Sequence, residues 1–386
     1  MQIGETIYLD YHASTPIDER VLRAMHHAST TLFANPHAAN HALGWKAAAA
    51  IEKAAAKIGN LYGLQQDDMI FTSGASEANA MAFRAAEAIR EASGRAEILI
   101  GAADHSSVLN EAARSGLLVR HISLDHRGAP DPDHLKALLN DGTALVSVVG
   151  VNNENGAIAD LQAIVELCRA TGALLHVDLS QAPLAMDLDL LNLEVDLATV
   201  SAHKLYGPKG VGALLMGPGM AAAVRPIIFG AGQQGGMRGG TMPTELIVGF
   251  GEACQILADS GRAEREAVKG LRDRFVGLLE KRTVAHLVGG IEGRHPGNAL
   301  MRFPGCDAVD LLARVQPWIA ASSQSACSSG SIEPSHVLRA MGKADSYAAE
   351  CIRFSFGRFS TEVQVDAAVN ILTKELSLEF RTVCDG

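Results

Sequence analysis

Through the first two-thirds of the chain, short apolar runs bounded by turn residues alternate with stretches whose apolar positions recur at helical spacing. The runs are Ile98 to Gly101, Val119 to Leu124, Ala144 to Val151, Leu174 to Leu179, Leu197 to Ser201 and Gly212 to Met216. Runs this short and this uniformly apolar, set between helical segments such as Trp45 to Ile58 and Leu161 to Thr171, predict a buried, mostly parallel sheet with helices on both faces. The Ala-rich Trp45–Ile58 stretch is an unbroken series of good helix formers, and Asp160 is a natural N-cap for the second helix. The crossovers are expected to be right-handed.

The segment Gly230 to Thr241 is too rich in glycine to be the interior of an element and reads as a loop, with a helix resuming near Thr244. Beyond Ala258 a charged helical pattern, Gly261 to Lys281, leads into a second set of strands at Ala299 to Phe303, Ile319 to Ser322 and Ile352 to Phe356. The pattern as a whole predicts an α/β protein. A large domain with the mostly parallel sheet spans 12–258, and a smaller α/β C-terminal domain is built from 259–386 together with 1–11.

Composition narrows the function classes. The 386 residues are 48% hydrophobic and 20% charged, which excludes a disordered or fibrous chain. A net charge of −10 without a basic block argues against a surface that grips nucleic acid. No apolar stretch reaches the roughly 18 residues of a membrane span, and the first ten residues lack a signal-peptide pattern, so a cytoplasmic protein is expected. The six cysteines lie far apart, with no C-x-x-C pair and no zinc spacing, which predicts neither a disulfide framework nor a metal site.

The richest segment for chemistry is Leu174-Leu-His-Val-Asp178-Leu-Ser-Gln181, an apolar strand ending in a carboxylate and an amide. In an open α/β sheet such strand ends line the ligand crevice. The next strand ends in Ser201-Ala-His203-Lys204, immediately before a Gly/Pro turn. A lysine there can be partly desolvated and act as a Schiff-base nucleophile; alone it reads more readily as a snorkelling surface lysine. Pyridoxal phosphate needs such a lysine, a carboxylate for its ring nitrogen and an anion seat. Thr72-Ser-Gly74-Ala-Ser76-Glu77, opening a helix, supplies a candidate seat and reads equally as an ordinary N-cap. Cys327 stands in the stretch Ser322 to Ser331, where six of ten residues are serine and no bulky apolar side chain anchors a core. Such a loop is expected to be mobile and exposed, as a travelling thiol requires.

Taken jointly, Ile7-Tyr-Leu-Asp-Tyr, Phe71 through Asn79, Val151-Asn-Asn-Glu, His176 through Gln181, Ser201 through Gly210, Ser322 through Ser331 and Cys351 through Phe359 resemble the cysteine desulfurases. These are fold-type I pyridoxal-phosphate enzymes of the class V aminotransferase group, and the resemblance runs from about residue 7 to about residue 375. It implies that Lys204 carries the cofactor, Asp178 pairs with the ring nitrogen, and Gln181 and Asn153 bond the ring oxygen. It implies that His105 stacks on the ring and shuttles protons, and that Ala75, Ser76, Ser201 and His203 form the phosphate cup. Thr241 would reach the cofactor phosphate of a neighbouring subunit, so a homodimer is implied. Arg353 and Asn35 would hold the carboxylate of L-cysteine, and Cys327 would take the sulfur as a persulfide and pass it to an acceptor protein. The serine-rich segment resembles the longer-loop group of the family.

The chain departs from the family's common form at Gln324, where glycine is usual, and at Gln234, where an acidic residue is usual. It also stops at Gly386 without the longer tail by which housekeeping members dock an iron–sulfur scaffold. These departures lead to the expectation of a protein acceptor other than that scaffold, in a dedicated pathway such as DNA phosphorothioation; iron–sulfur assembly and tRNA thiolation stay open. A selenocysteine lyase or an aminotransferase is the alternative within the family. A nicotinamide-dependent oxidoreductase is a poorer match, because Gly207-Pro-Lys-Gly210-Val-Gly212 precedes a strand instead of opening a helix. A non-catalytic dimeric scaffold is the last alternative.

Overall fold

The computed structural model describes the backbone of residues 1–323, 325–328 and 331–384, and the side chains of residues 1–323 and 335–377. Its centre is a seven-stranded sheet in the order Met69–Thr72, Gly212–Met216, Leu197–Ser201, Leu174–Asp178, Thr143–Val149, Glu97–Gly101, Leu118–Ile122. The last five run parallel to one another, whereas Gly212–Met216 is antiparallel to both of its neighbours. The reason is the short 202–211 connection, which reverses the chain but is too short for a crossover. All six apolar runs become strands. Met69–Thr72 is a seventh that the pattern did not mark, because four residues on the sheet edge carry little periodicity.

Gln234 meets that edge. Its Oε1 accepts from the Phe71 N–H at 2.7 Å, and its Nε2 donates to the Phe71 carbonyl at 3.0 Å. One amide thus satisfies both backbone groups that an edge strand would leave open. A carboxylate could accept the first bond but not donate the second.

Thr244–Arg282 forms one helix of 39 residues, so the sequence boundary at 258/259 falls inside it. Its first half contributes Ile247, Phe250, Cys254 and Leu257 to the core under the large sheet. Its second half contributes Val268, Phe275 and Leu279 to a separate core with Phe303, Phe354 and Leu372. Gly261, where the charged helical pattern of the sequence begins, is buried mid-helix, where a Cβ would come within 2.9 Å of the Leu257 side chain. The second core covers an antiparallel sheet of His286–Leu287, Asn298–Arg302, Cys351–Ser355 and Ser322–Ser323. Ile7 and Leu9 belong to it as well, and the N-terminal strand Thr6–Tyr8 pairs in parallel with Ile319–Ala320. Among the described residues, no helix is long and apolar enough to cross a membrane.

Candidate active site

Two neighbouring parallel strands, Leu174–Asp178 and Leu197–Ser201, end beside a cavity of about 670 Å³, a size usual for small-molecule sites. Asp178 lines it, and so does Lys204 on the turn that follows the second strand.

Asp178 is buried and held from both sides. Its Oδ1 accepts from the Ser180 N–H at 3.0 Å and the Ser180 hydroxyl at 2.6 Å, and its Oδ2 accepts from Asn79 Nδ2 at 3.1 Å. The same Asn79 amide donates to Ser107 Oγ at 2.9 Å. Ser107 in turn serves His105, whose Nδ1 takes the Ser107 N–H at 3.1 Å and lies 2.8 Å from the hydroxyl. Because Nδ1 accepts, the neutral ring carries its proton on Nε2. Burial pushes the His105 pKa down, with the charge of Asp178 opposing it.

Lys204 makes no ion pair among the described residues. Its ammonium donates to the carbonyls of His12 at 2.5 Å and Ala13 at 3.0 Å. Burial first, and the nearby Arg353 charge second, lower its pKa to about 8.

The other end of the cavity suits an anion. Helix Ala75–Ser93 begins at Gly74 with no side chain capping it, so its first N–H groups and its positive dipole end stay available. Gly74 has φ 151°, a conformation glycine favours, and a Cβ built there meets nothing within 4 Å. Because Gly74 lines the cavity, that Cβ would take up ligand space. Ala75, Ser76 and His203 also line it, whereas Ser201 lies behind, 2.9 Å from His203 Nδ1. Burial and the Lys204 charge bring His203 down to about 4, so it is neutral there. Glu77, on the same helix turn, is neutralised by Arg238 at 2.9 Å.

The remaining expected residues are placed less evenly. Asn153 and Gln181 line the cavity, with the Gln181 amide donating to the His12 carbonyl at 2.9 Å. Arg353 is buried just beyond. Its Nη1 donates to the Asn153 carbonyl at 2.9 Å, and its Nη2 contacts Asp10 Oδ1 at 2.8 Å and Ser322 Oγ at 3.1 Å. Among the described residues its Nε has no hydrogen-bond partner, and it is sealed from solvent. Asn35 and Thr241 are exposed and do not line the cavity. Asn35 caps its own turn by accepting from the His37 N–H at 3.0 Å. The backbone of Ser325–Ser328 pairs with Ser331–Pro334, placing Cys327 opposite Ile332. The Cys327 side chain, and the expected mobility of its segment, lie outside the described residues. Four other cysteines, Cys168, Cys254, Cys306 and Cys351, are buried, and burial pushes the thiols of Cys168 and Cys351 up to about 12.

Sequence reasoning missed Asn79, Ser107, Ser180 and Asp10. A signal existed for Ser180, two residues after a strand-end carboxylate, and for Asn79, one helical turn past the anion seat. None existed for the carbonyls of His12 and Ala13.

An amine, a fixed carboxylate and an uncapped helix end around one cavity are the groups that pyridoxal phosphate requires, and they define a pyridoxal-phosphate enzyme. The chain belongs to the aminotransferase class-V family, whose pattern matches residues 7–368. It is 38% identical over 374 residues to the cysteine desulfurase IscS of Rickettsia massiliae (strain Mtu5), covering 96% of this chain and 91% of that one. Its fold is similar to that of a NifS-like protein, with TM-score 0.90 and 30% identity over 97% of this chain and 100% of the other. It is also similar to SspA in complex with cysteine, with TM-score 0.81 and 28% identity over 92% of this chain and 100% of the other.

Proposed function

We propose that the chain is a pyridoxal-phosphate-dependent cysteine desulfurase that converts L-cysteine to L-alanine. The sulfur is left as a persulfide on Cys327 and passed to an acceptor protein. The observation that carries this reading is the placement of Lys204 and Asp178 at adjacent strand ends, facing one cavity that closes on an uncapped helix N-terminus.

Pyridoxal phosphate supplies the electron sink that loosens the bonds at the substrate's Cα. The residues around it do the rest. Lys204 holds the cofactor through its amine, and a pKa near 8 leaves about a tenth of that amine uncharged and nucleophilic at pH 7. Asp178 stays in one orientation because Ser180 and Asn79 occupy its outer lone pairs, so it can hold a protonated ring nitrogen. His105 carries a proton on Nε2, the ring nitrogen left free by Ser107, and exchanges it at the cavity face. Arg353 offers its planar fork to the substrate carboxylate, with Asn153 beside it. Asn153 and Gln181 serve the ring oxygen, and Ala75, Ser76, Ser201 and His203 serve the phosphate.

Thr241 and Asn35 are read as completing the site across a homodimer, which accords with their exposure on the single chain. A cytoplasmic enzyme is part of the same reading. Borohydride reduction of the cofactor-loaded protein followed by peptide mapping tests it. The label is expected on Lys204, and a label on another lysine or on none would contradict the assignment.

A further inference from the structure

A second cavity, of about 450 Å³, lies between the long helix and the turn that precedes strand Asn298–Arg302. Two of its lining side chains are guanidiniums almost removed from solvent, Arg272 at 1% and Arg294 at 7% exposure. They grip one residue from two sides. Arg272 Nη1 donates to the Asn298 carbonyl at 3.5 Å, and Arg294 Nη1 donates to Asn298 Oδ1 at 2.6 Å.

Neither is fully compensated. Among the described residues Arg294 bonds only neutral oxygens, with Nε on the Gly290 carbonyl at 2.9 Å and Nη2 on the Val288 carbonyl. Arg272 reaches Asp273 at 2.6 Å, but Lys269 shares that carboxylate at 3.2 Å. Arg265, also in the lining, is matched by Asp187. Glu266 and Glu292 sit at the rim, exposed to water. Of the five N–H donors on each guanidinium, three on Arg294 and two on Arg272 are committed among the described residues, which leaves five unspent. Burial first, and the Arg272 charge second, push Arg294 down to about 9, the direction expected of a buried guanidinium that faces a like charge and only neutral acceptors.

A buried cation without a partner is costly, and the planar forks of two arginines match the oxygens of a phosphate. We propose that this cavity is a binding site for a phosphate dianion, inorganic or carried as a phosphomonoester, seated on Arg272 and Arg294 with Lys269 at its mouth. It is separate from the cofactor's anion seat at Gly74 to Ser76, since none of its residues lines the larger cavity. Asn298 stands between the two places: its Nδ2 donates to the Glu154 carbonyl at 2.9 Å and lies 3.4 Å from His12 Nδ1. The carbonyl of His12 is the one that takes the Lys204 ammonium. An occupant would therefore pull on the residue that braces the wall of the first cavity.

The test is calorimetric titration of the cofactor-loaded enzyme, in which the first anion seat is already filled. Sodium phosphate is titrated at ionic strength held constant with sodium chloride. One saturable site per chain is expected, with Kd on the order of 1 mM or tighter. Arg294→Gln is expected to weaken it at least about tenfold and Lys269→Gln severalfold. Cofactor absorbance reports whether each variant is folded. If Arg294→Gln fails that check, Lys269→Gln, at a half-exposed position, carries the comparison. A parallel titration with glycerol 3-phosphate identifies the source: tighter binding points to a phosphomonoester, weaker binding to the free ion. Heat that rises linearly to 20 mM phosphate, or equal affinity in the parent and the folded variants, would overturn the proposal.

Discussion

The fold treats two neighbouring cations, Lys204 in the wall of the cofactor cavity and Arg353 just beyond it, in opposite ways. Lys204 is given carbonyl oxygens and no carboxylate, and its pKa falls to about 8. Arg353, more completely buried, is given Asp10 at 2.8 Å, with the Ser322 hydroxyl and the Asn153 carbonyl completing its surroundings. Carbonyls solvate an ammonium without holding its proton as a carboxylate would. The lysine can therefore give up its charge and react, while the arginine keeps its charge in a fixed position, which suits the carboxylate-holding role proposed for it.

The largest effect that follows is on Lys204→Ala. Loss of the amine is expected to remove the visible cofactor band after desalting and to bring alanine formation below about one-thousandth of the parent. A variant that kept both would break the contrast outright. Next comes Asp10→Asn, which takes away the counter-ion of Arg353 but leaves Lys204 its carbonyls. The KM for L-cysteine is expected to rise roughly tenfold or more with a smaller change in kcat, because an unanchored guanidinium loses its fixed direction. An unchanged KM would show that Asp10 does not set the arginine.

The pH dependence sharpens the lysine's side of the comparison. Below its pKa the uncharged amine falls tenfold per pH unit. Capture of pyridoxal phosphate by the cofactor-free protein, followed by absorbance, is therefore expected to rise from pH 6 to about 8 and then level. A rate still climbing tenfold per unit at pH 9 would place Lys204 at an ordinary lysine value. The smallest expected effect is away from the site, at Gln234→Glu. The carboxylate keeps the Phe71 N–H bond but leaves the Phe71 carbonyl unpaired, at a cost of about 1–2 kcal/mol in thermal unfolding. No change would mean that the edge amide adds nothing to stability.

Legibility in the sequence follows the same division. Asp178 and Lys204 could be read because they stand at the ends of apolar runs, where a charged residue has few structural reasons to be. Six of the seven strands of the large sheet were legible for the same reason, with their ends within two residues. What could not be read was whatever the backbone supplies. The carbonyls of His12 and Ala13, which set the state of Lys204, come from a segment far away in sequence, and carbonyls leave no mark in residue type. The single helix through 258 was also hidden, since the apolar pattern before Ala258 and the charged pattern from Gly261 read as two segments until one helix is seen to serve both cores. The amide of Gln234 looked like a departure from an acidic position, and its double bond to Phe71 is a property of the folded edge alone.

The account rests most heavily on sulfur passing to one particular thiol while the cofactor sits on Lys204. Its most direct test is to mix the cofactor-loaded protein with one equivalent of L-cysteine, alkylate, and locate sulfane sulfur by peptide mass spectrometry while alanine is quantified. The account predicts a persulfide on Cys327, matched one to one by alanine. Alanine without a persulfide on Cys327, or a persulfide on any other cysteine in its place, would contradict it.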